Sequence, residues 1–151
     1  VLHKGLNDKG FVFYTNFNSK KGGELKSNQK AAMCFHWKSL RRQVRVIGKV
    51  EEVSSKEADD YYNSRPYKNK IGAWASSQSQ VLDRRETFLE KVKEFEKKYP
   101  DKKNVPRPSH WSGWRLVPNE IEFWVDGDGR IHERLNYKKS NEKWSKELLY
   151  P

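Results

Sequence analysis

The chain has 151 residues, 34% hydrophobic and 34% charged, with 31 Lys and Arg against 20 Asp and Glu for a formal charge of +11. That length suits a single domain over residues 1–151 with a real core, and no apolar run approaches the roughly 20 residues a membrane span needs. The first residues lack the charged-then-apolar order of a signal peptide, so a cytoplasmic protein is expected, and the cation excess calls for an anionic partner: phosphorylated ligands, nucleic acid or a membrane surface.

The sequence opens at Val1-Leu2-His3-Lys4 without Met and already strand-like, so a further N-terminal segment is expected. Val1–Leu6 and Gly10–Asn16 flank the turn residues Asn7-Asp8-Lys9-Gly10 and predict a hairpin. Ser19 is a candidate cap for a short helix reaching Leu25, weakened by Gly22 and Gly23. Lys30–Trp37 and Arg42–Val53 predict two strands of one antiparallel sheet, the second with Val44, Val46 and Val50 on one face and Gln43 and Arg45 on the other. The lone cysteine, Cys34, lies in Ala31-Ala32-Met33-Cys34-Phe35; it excludes an intrachain disulfide and is expected to be a buried structural thiol. Ser55 begins a helix that runs through Tyr61-Tyr62 to Arg65, where Pro66 ends it.

Asp83 with Glu86 spells a capping box, and Phe88, Leu89, Val92, Phe95 and Tyr99 form one helical stripe behind it. A polar, proline-broken connection follows over Pro100–Pro108. Trp114–Val117, Glu120–Val125, Arg130–Tyr137 and Trp144–Leu149 predict further strands, with turns at Gly127-Asp128-Gly129 and Ser140-Asn141-Glu142. Some seven strands, two or three helices and no alternating β-α-β order predict a mainly β fold, an antiparallel barrel with peripheral helices.

Several segments carry candidate chemistry, each with a plainer reading beside it. Ser19-Lys20-Lys21 at a helix start offers charge and hydroxyl donors to a phosphate; the two lysines read equally as solvated side chains of a lysine-rich surface. Arg65, beside Pro66 and two tyrosines, suits a second phosphate, although a helix C-terminal arginine is the simpler reading. Ile71-Gly72-Ala73-Trp74 followed by Ser76-Ser77-Gln78-Ser79 would let backbone approach a flat ligand, or is a tight packing segment and loop. On a strand, Arg130, His132 and Arg134 would project to one side, as an anion site or an exposed basic edge. His3, His36 and His110 lack metal-ligand spacing with Cys34, and neither phosphate-binding glycine motif is present, so no metal, nucleotide hydrolysis or Rossmann chemistry is expected.

Taken in order, Val1-Leu2 with Lys4, Phe13-Tyr14-Thr15-Asn16, Ser19 with Lys21, Arg42-Gln43-Val44, Tyr61 with Ser64-Arg65-Pro66, Ile71-Gly72-Ala73-Trp74 with Gln78-Ser79, Glu122-Phe123-Trp124, and Arg130 with His132 and Arg134 resemble the pyridoxamine 5'-phosphate oxidase family over essentially the whole chain. The resemblance implies an FMN-binding split β-barrel, homodimeric, with FMN at the subunit interface. It implies oxidation of pyridoxamine or pyridoxine 5'-phosphate to pyridoxal 5'-phosphate with O2 reduced to H2O2. By the same resemblance Val1, Leu2, Tyr14, Thr15, Lys20, Lys21, Gln43, Gln78, Ser79, Trp124 and Arg134 would surround FMN. Lys4, Tyr61, Arg65, Asn69, Arg130 and His132 would face the substrate, with Arg130 and His132 as the catalytic pair.

The chain departs from the family pattern at Lys20 (commonly Arg), Asn69 (Ser), Ser112 (Gly), Val125 (Gln), Glu133 (Asp) and Leu148 (Arg). Lys20 keeps the charge without the bidentate fork, and Asn69 still donates a hydrogen bond. Three rival readings stand beside the oxidase: a split-barrel oxidase of another substrate such as a phenazine precursor, a flavin-binding protein without oxidase activity, and a basic barrel that stacks single-stranded nucleic acid on aromatic side chains. The retained Tyr61, Arg65, Arg130 and His132 argue against the first. Aromatic residues flanked by apolar ones argue against the last, so neither nucleic acid nor membrane is an expected partner.

Overall fold

The computed structural model describes the whole of Val1–Pro151. Seven strands and four helices follow in chain order: β1 (His3–Asn7), β2 (Gly10–Asn16), α1 (Lys20–Ser27), β3 (Lys30–Trp37), β4 (Arg42–Glu52), α2 (Ser55–Ser64), α3 (Tyr67–Ala75), α4 (Arg85–Lys98), β5 (Trp111–Val125), β6 (Glu133–Ser140) and β7 (Lys143–Leu148). Short 3-10 turns occupy Lys38–Leu40 and Asp128–Arg130. The strand order is β1-β2-β5-β4-β3, with β6 added to β5 and β7 to β6. The β3/β4, β5/β6 and β6/β7 pairs are antiparallel. The fold class is the expected one, mainly antiparallel β with helices in the connections.

Local chemistry accounts for several element ends. Asn7 Oδ1 accepts from the Lys9 and Gly10 amides at 3.0 and 3.2 Å and closes the first hairpin. Ser19 caps α1 by accepting from the Gly22 amide at 3.1 Å, and Ser54 caps α2 by accepting from Glu57 N at 3.2 Å. Asn141 and Glu142 both take positive φ, 47° and 63°, the conformation that turns β6 back into β7 with a matching twist.

The chain forms two compact units: residues 1–4, 12–27 and 52–114, and residues 5–11, 28–51 and 115–151. In the first, Val12, Val53 and Ala58 cluster with Tyr14 packed on them, and Tyr62, Ile71 and Trp114 are buried. Trp74 joins α3 to α4: its ring lies 5.6 Å from Phe95 and 5.3 Å from Tyr99, and its N–H donates to the Pro106 carbonyl at 2.8 Å.

The second unit buries Val46, Val50 and Leu116, and with them a charge. Glu122 of β5 is 4% exposed and bridges Arg45 of β4, at 2.5 Å, and Arg134 of β6, at 2.9 Å. Buried Asn136 donates to Glu120 and Glu147 at 3.2 and 3.3 Å, tying β6 to both neighbours. On one side of these strands Ile121, Phe123, Tyr137 and Trp144 line an apolar groove of about 360 Å³, with Phe123 and Trp144 more than two-fifths exposed.

Several expectations are corrected. Cys34 is exposed rather than buried: β3 ends the strand order, and only the alternate residues Ala31, Met33 and Phe35 turn inward. The Asp83 capping box does not form. Arg84 occupies the cap position of α4, and Asp83 accepts instead from the Thr87 hydroxyl at 3.2 Å. Leu89 falls off the α4 stripe and is exposed. Trp114–Val117 and Glu120–Val125 belong to one 15-residue strand, because Pro118 is compatible with extended backbone and breaks only one ladder bond. Arg130 and His132 precede β6, and Arg130 sits at φ 66° in the 3-10 turn, so the trio Arg130, His132 and Arg134 does not share a strand face.

Close approach at β5 sets a strict requirement on β4. A Cβ on Gly48 would stand 2.0 Å from the Val117 carbonyl oxygen, whereas one on Gly23, inside α1, meets nothing within 4 Å. Gly48→Ala is therefore expected to lose about 2 kcal/mol or more in urea unfolding, while Gly23→Ala gains roughly 0.5 to 1 kcal/mol from helix propensity. A Gly48→Ala protein of unchanged stability contradicts the packing.

The hydrogen bond from Arg134 holds the Glu122 carboxyl below its ordinary value of 4.5, with desolvation opposing it and Arg45 adding to it. A carboxyl depressed by folding contributes stability above the unfolded-state value, and that contribution disappears as pH falls through the folded-state value. Glu122→Gln should cost about 2 kcal/mol at pH 7, the gap closing as pH drops below about 4. Urea unfolding across that range checks it; a gap independent of pH contradicts the assignment.

Candidate functional site

In the first unit, three aromatic rings build a wall. Tyr14 of β2 stacks on Tyr61 of α2 at 4.0 Å and on Trp111 at the start of β5 at 5.3 Å, with interplanar angles of 14° and 5°. Arg65, the C-terminal cap of α2, lays its guanidinium 4.6 Å from the Trp111 ring centroid and 5.7 Å from that of Tyr62. Pro66 fixes the chain immediately after it and starts α3, which brings Lys68 and Asn69 beside the arginine.

Of these groups Tyr14, Arg65, Lys68, Asn69 and Trp111 line a cavity of about 390 Å³ together with Asn16, Gly72, Ala73, Ser76 and Gln78. Arg65 Nη1 is buried there without any hydrogen-bond partner. Burial pulls the Arg65 pKa below its ordinary value, with the Tyr61 and Tyr62 phenols acting the other way. A desolvated guanidinium N–H with no acceptor is costly, and an anion in the cavity would relieve it. The simpler reading of Arg65 as only a helix-end arginine does not describe this environment.

A second polar group adjoins the cavity. Thr15, 5% exposed, donates to Gln78 Oε1 at 3.4 Å, and Lys21 Nζ reaches Thr15 Oγ1 at 3.5 Å. The Asn16 amide also donates to Gln78 Oε1 at 3.4 Å. These contacts are long, leaving the ammonium and hydroxyl available to an anion. The Ser19 hydroxyl is already committed, donating to the Asn16 carbonyl at 2.6 Å while it caps α1, so the charge of Ser19-Lys20-Lys21 is carried by the lysines alone. Lys20 is exposed at the start of α1, and Ser79 is exposed at φ 71° in the loop after α3.

In the second unit, Trp124 of β5 pairs in register with Arg134 of β6, and its ring lies 4.7 Å from that of His132. Arg134 spends Nε on Glu122 and Nη1 on the Tyr150 carbonyl, at 2.9 Å each. Gln43 of β4 is half-buried opposite His36, and Arg130 is exposed.

The first unit thus gathers Tyr14, Thr15, Lys21, Tyr61, Arg65, Asn69 and Gln78, and leaves Val1, Leu2 and Lys4 exposed. The second gathers Trp124, His132 and Arg134. Sequence reasoning missed Trp111, the platform under Arg65, and Lys68 at the cavity edge. It also missed Asp126, which faces His132 across the Asp128–Arg130 turn, because Arg130–Tyr137 was read as a strand and not as a turn that folds His132 back.

Comparison with known proteins gives a consistent placement. Residues 1–99 match the family model described as pyridoxamine 5'-phosphate oxidase, and residues 111–151 match one described as pyridoxine 5'-phosphate oxidase C-terminal dimerisation region. A pyridoxine/pyridoxamine 5'-phosphate oxidase of Pelagibacter ubique is 60% identical over the whole chain and 73% of its own length; that of Agrobacterium fabrum is 54% identical, with 74% of its length covered. Among solved structures, PhzG from Burkholderia lata, crystallised with tetrahydrophenazine-1-carboxylic acid, superposes with a TM-score of 0.91 at 29% identity, over 99% of this chain and 72% of that one. A pyridoxamine 5'-phosphate oxidase-related, FMN-binding protein from Nostoc punctiforme shares the fold at a TM-score of 0.77 and 16% identity, over 99% of this chain and 78% of that one. The aromatic cavity with its desolvated arginine and the antiparallel split-barrel fold therefore sit on a chain that belongs to the pyridoxine/pyridoxamine 5'-phosphate oxidase family.

Proposed function

We propose that the protein is an FMN-dependent oxidase that converts pyridoxamine 5'-phosphate or pyridoxine 5'-phosphate to pyridoxal 5'-phosphate. The observation that carries the reading is the buried, unpartnered Arg65 Nη1 in a cavity of about 390 Å³ that also holds Lys68 and Asn69. A cavity of that size matches a small aromatic ligand, and a phosphate ester supplies the acceptor the guanidinium lacks. The names of the relatives at 60% and 54% identity support the same substrate class.

Arg65 and Asn69 would hold the substrate phosphate, Lys4 adding charge, while the Tyr61 ring flanks the pyridine. Lys20, Lys21, Thr15, Gln78 and Ser79 would hold the phosphate end of FMN; Val1, Leu2, Tyr14, Gln43, Trp124 and Arg134 would hold the rest. The loosely satisfied Thr15, Lys21 and Gln78 fit such an anion. When bound, FMN supplies the two-electron chemistry and returns the electrons to dioxygen as hydrogen peroxide. The chain's own part is orientation, with Arg130 and His132 directing the reacting carbon and His132 taking up the proton of the amine or hydroxyl.

The apolar groove of Ile121, Phe123, Tyr137 and Trp144 lies within the stretch that matches the dimerisation region, and a second copy covering it would give a homodimer. No helix is long and apolar enough to cross a membrane, and a cytoplasmic enzyme of vitamin B6 metabolism is the reading adopted.

One rival is a split-barrel oxidase of a phenazine precursor; the Burkholderia lata neighbour is a complex with tetrahydrophenazine-1-carboxylic acid. The two readings separate on phosphate. Arg65→Ala should raise KM for pyridoxamine 5'-phosphate by roughly 10- to 100-fold, as expected for loss of a charge-assisted pair, with little change in kcat. Steady-state peroxide formation checks it, with unphosphorylated pyridoxamine as the control substrate. Equal losses on both substrates would overturn the phosphate assignment, and no turnover of either by the unaltered enzyme would overturn the function.

A further inference from the structure

Asp126 follows β5 and faces two partners. Its Oδ2 lies 2.8 Å from Arg41 Nε, its Oδ1 lies 3.2 Å from His132 Nδ1, and its amide donates to the Arg41 carbonyl at 3.0 Å. The Gly127 amide approaches the same Nδ1 at 3.2 Å, and Trp124 covers the imidazole at 4.7 Å. The loop has no slack, since a Cβ on Gly127 would meet the Ile131 carbonyl oxygen at 1.9 Å. His132 is therefore held with Nδ1 toward the loop and Nε2 away from these partners.

Two partners compete for Nδ1, and they select opposite tautomers. An amide N–H can only donate, which leaves the neutral ring with its proton on Nε2. A carboxylate can only accept, which puts the proton on Nδ1 and leaves a lone pair on Nε2. The charged acceptor makes the stronger bond. The Gly127 amide also reaches the Asp126 carboxylate, so it keeps an acceptor when Nδ1 carries the proton.

We propose that Asp126 is a positioning residue for the oxidation: it selects the Nδ1–H tautomer of His132, so that Nε2 is free to accept a proton. In that step the N–H or O–H bond of the substrate's amine or hydroxyl breaks, a new N–H bond forms at Nε2, and the imidazolium charge is balanced by the Asp126 carboxylate on its other side. The inference rests on the reading of His132 as a substrate-facing residue. Arg41 takes no part in tautomer choice; it anchors the carboxylate, assisted by its second contact to Asp128 at 3.3 Å.

Nitrogen-15 NMR of the imidazoles in flavin-free protein reads the tautomer directly, and turnover of the FMN-loaded enzyme reads its consequence. Neutral His132 should carry its proton on Nδ1 in the unaltered protein and on Nε2 in Asp126→Ala, whereas Arg41→Ala, which loosens the same loop, keeps Nδ1–H. Asp126→Ala should lower kcat about tenfold with KM nearly unchanged, and should have no further effect in a His132→Gln background. An Asp126→Ala protein that keeps the Nδ1 proton, or whose kcat loss adds to that of His132→Gln, overturns the proposal. A His132→Gln enzyme of normal turnover overturns the role of His132 itself; a slow His132→Gln beside a normal Asp126→Ala overturns the role of Asp126 alone.

Discussion

Strand β5 is the constraint on which the rest of the molecule depends. It pairs with β2, β4 and β6, and the backbones of Gly10 and Gly48 approach its Leu116 and Val117 carbonyls so closely that no side chain fits at either glycine. Its first residues supply Trp111, the surface on which Arg65 and Tyr14 rest in one unit. Its last residues supply Glu122 and Trp124, and the chain just beyond supplies Asp126, which together organise Arg45, Arg134 and His132 in the other. The strand thus contributes side chains to each half of the proposed chemistry.

Among the arginines of this basic chain two kinds stand apart. Arg41, Arg45, Arg107, Arg115 and Arg134 each meet a carboxylate, and their charge is used within the protein. Arg65 is different: it is desolvated over aromatic faces and its buried Nη1 has no acceptor. A protein that buries such a group without a counter-charge keeps an unmet electrostatic demand, which a dianionic ester satisfies better than water or a neutral ligand. The same logic separates Arg134 from the exposed Arg130: the former is largely committed to Glu122 and the Tyr150 carbonyl, leaving part of its guanidinium for a ligand.

Much of this was legible in the sequence. Turn residues, strand-forming composition and the alternation of Arg42–Val53 pointed to β2, β3 and β4, Ser19 and Pro66 marked a helix start and a helix end, and the order of motifs from Val1 to Arg134 pointed to the family and its fold. What failed did so for physical reasons. Apolar composition around Cys34 suggested burial, but whether a strand's second face is covered is decided by its place in the sheet. Asp83 has the letters of a capping box, but the turn begins one residue later. The Arg130, His132 and Arg134 alternation looked like a strand, yet Gly129 and Arg130 both take positive φ and curl the chain into a turn first. Trp111 and Lys68 were invisible because their roles arise from a partner distant in sequence or from cavity shape, and Asp126 because the Asp128–Arg130 turn folds His132 back onto it where Arg130–Tyr137 was read as strand.

The central claim is that this chain oxidises a phosphorylated B6 vitamer with a bound flavin, and an anaerobic absorbance scan of FMN-reconstituted protein tests it most directly. Added pyridoxamine 5'-phosphate should bleach the oxidised-flavin band near roughly 450 nm, and admitted air should restore it with release of pyridoxal 5'-phosphate. A bound flavin that stays oxidised in the presence of the vitamer would contradict the account.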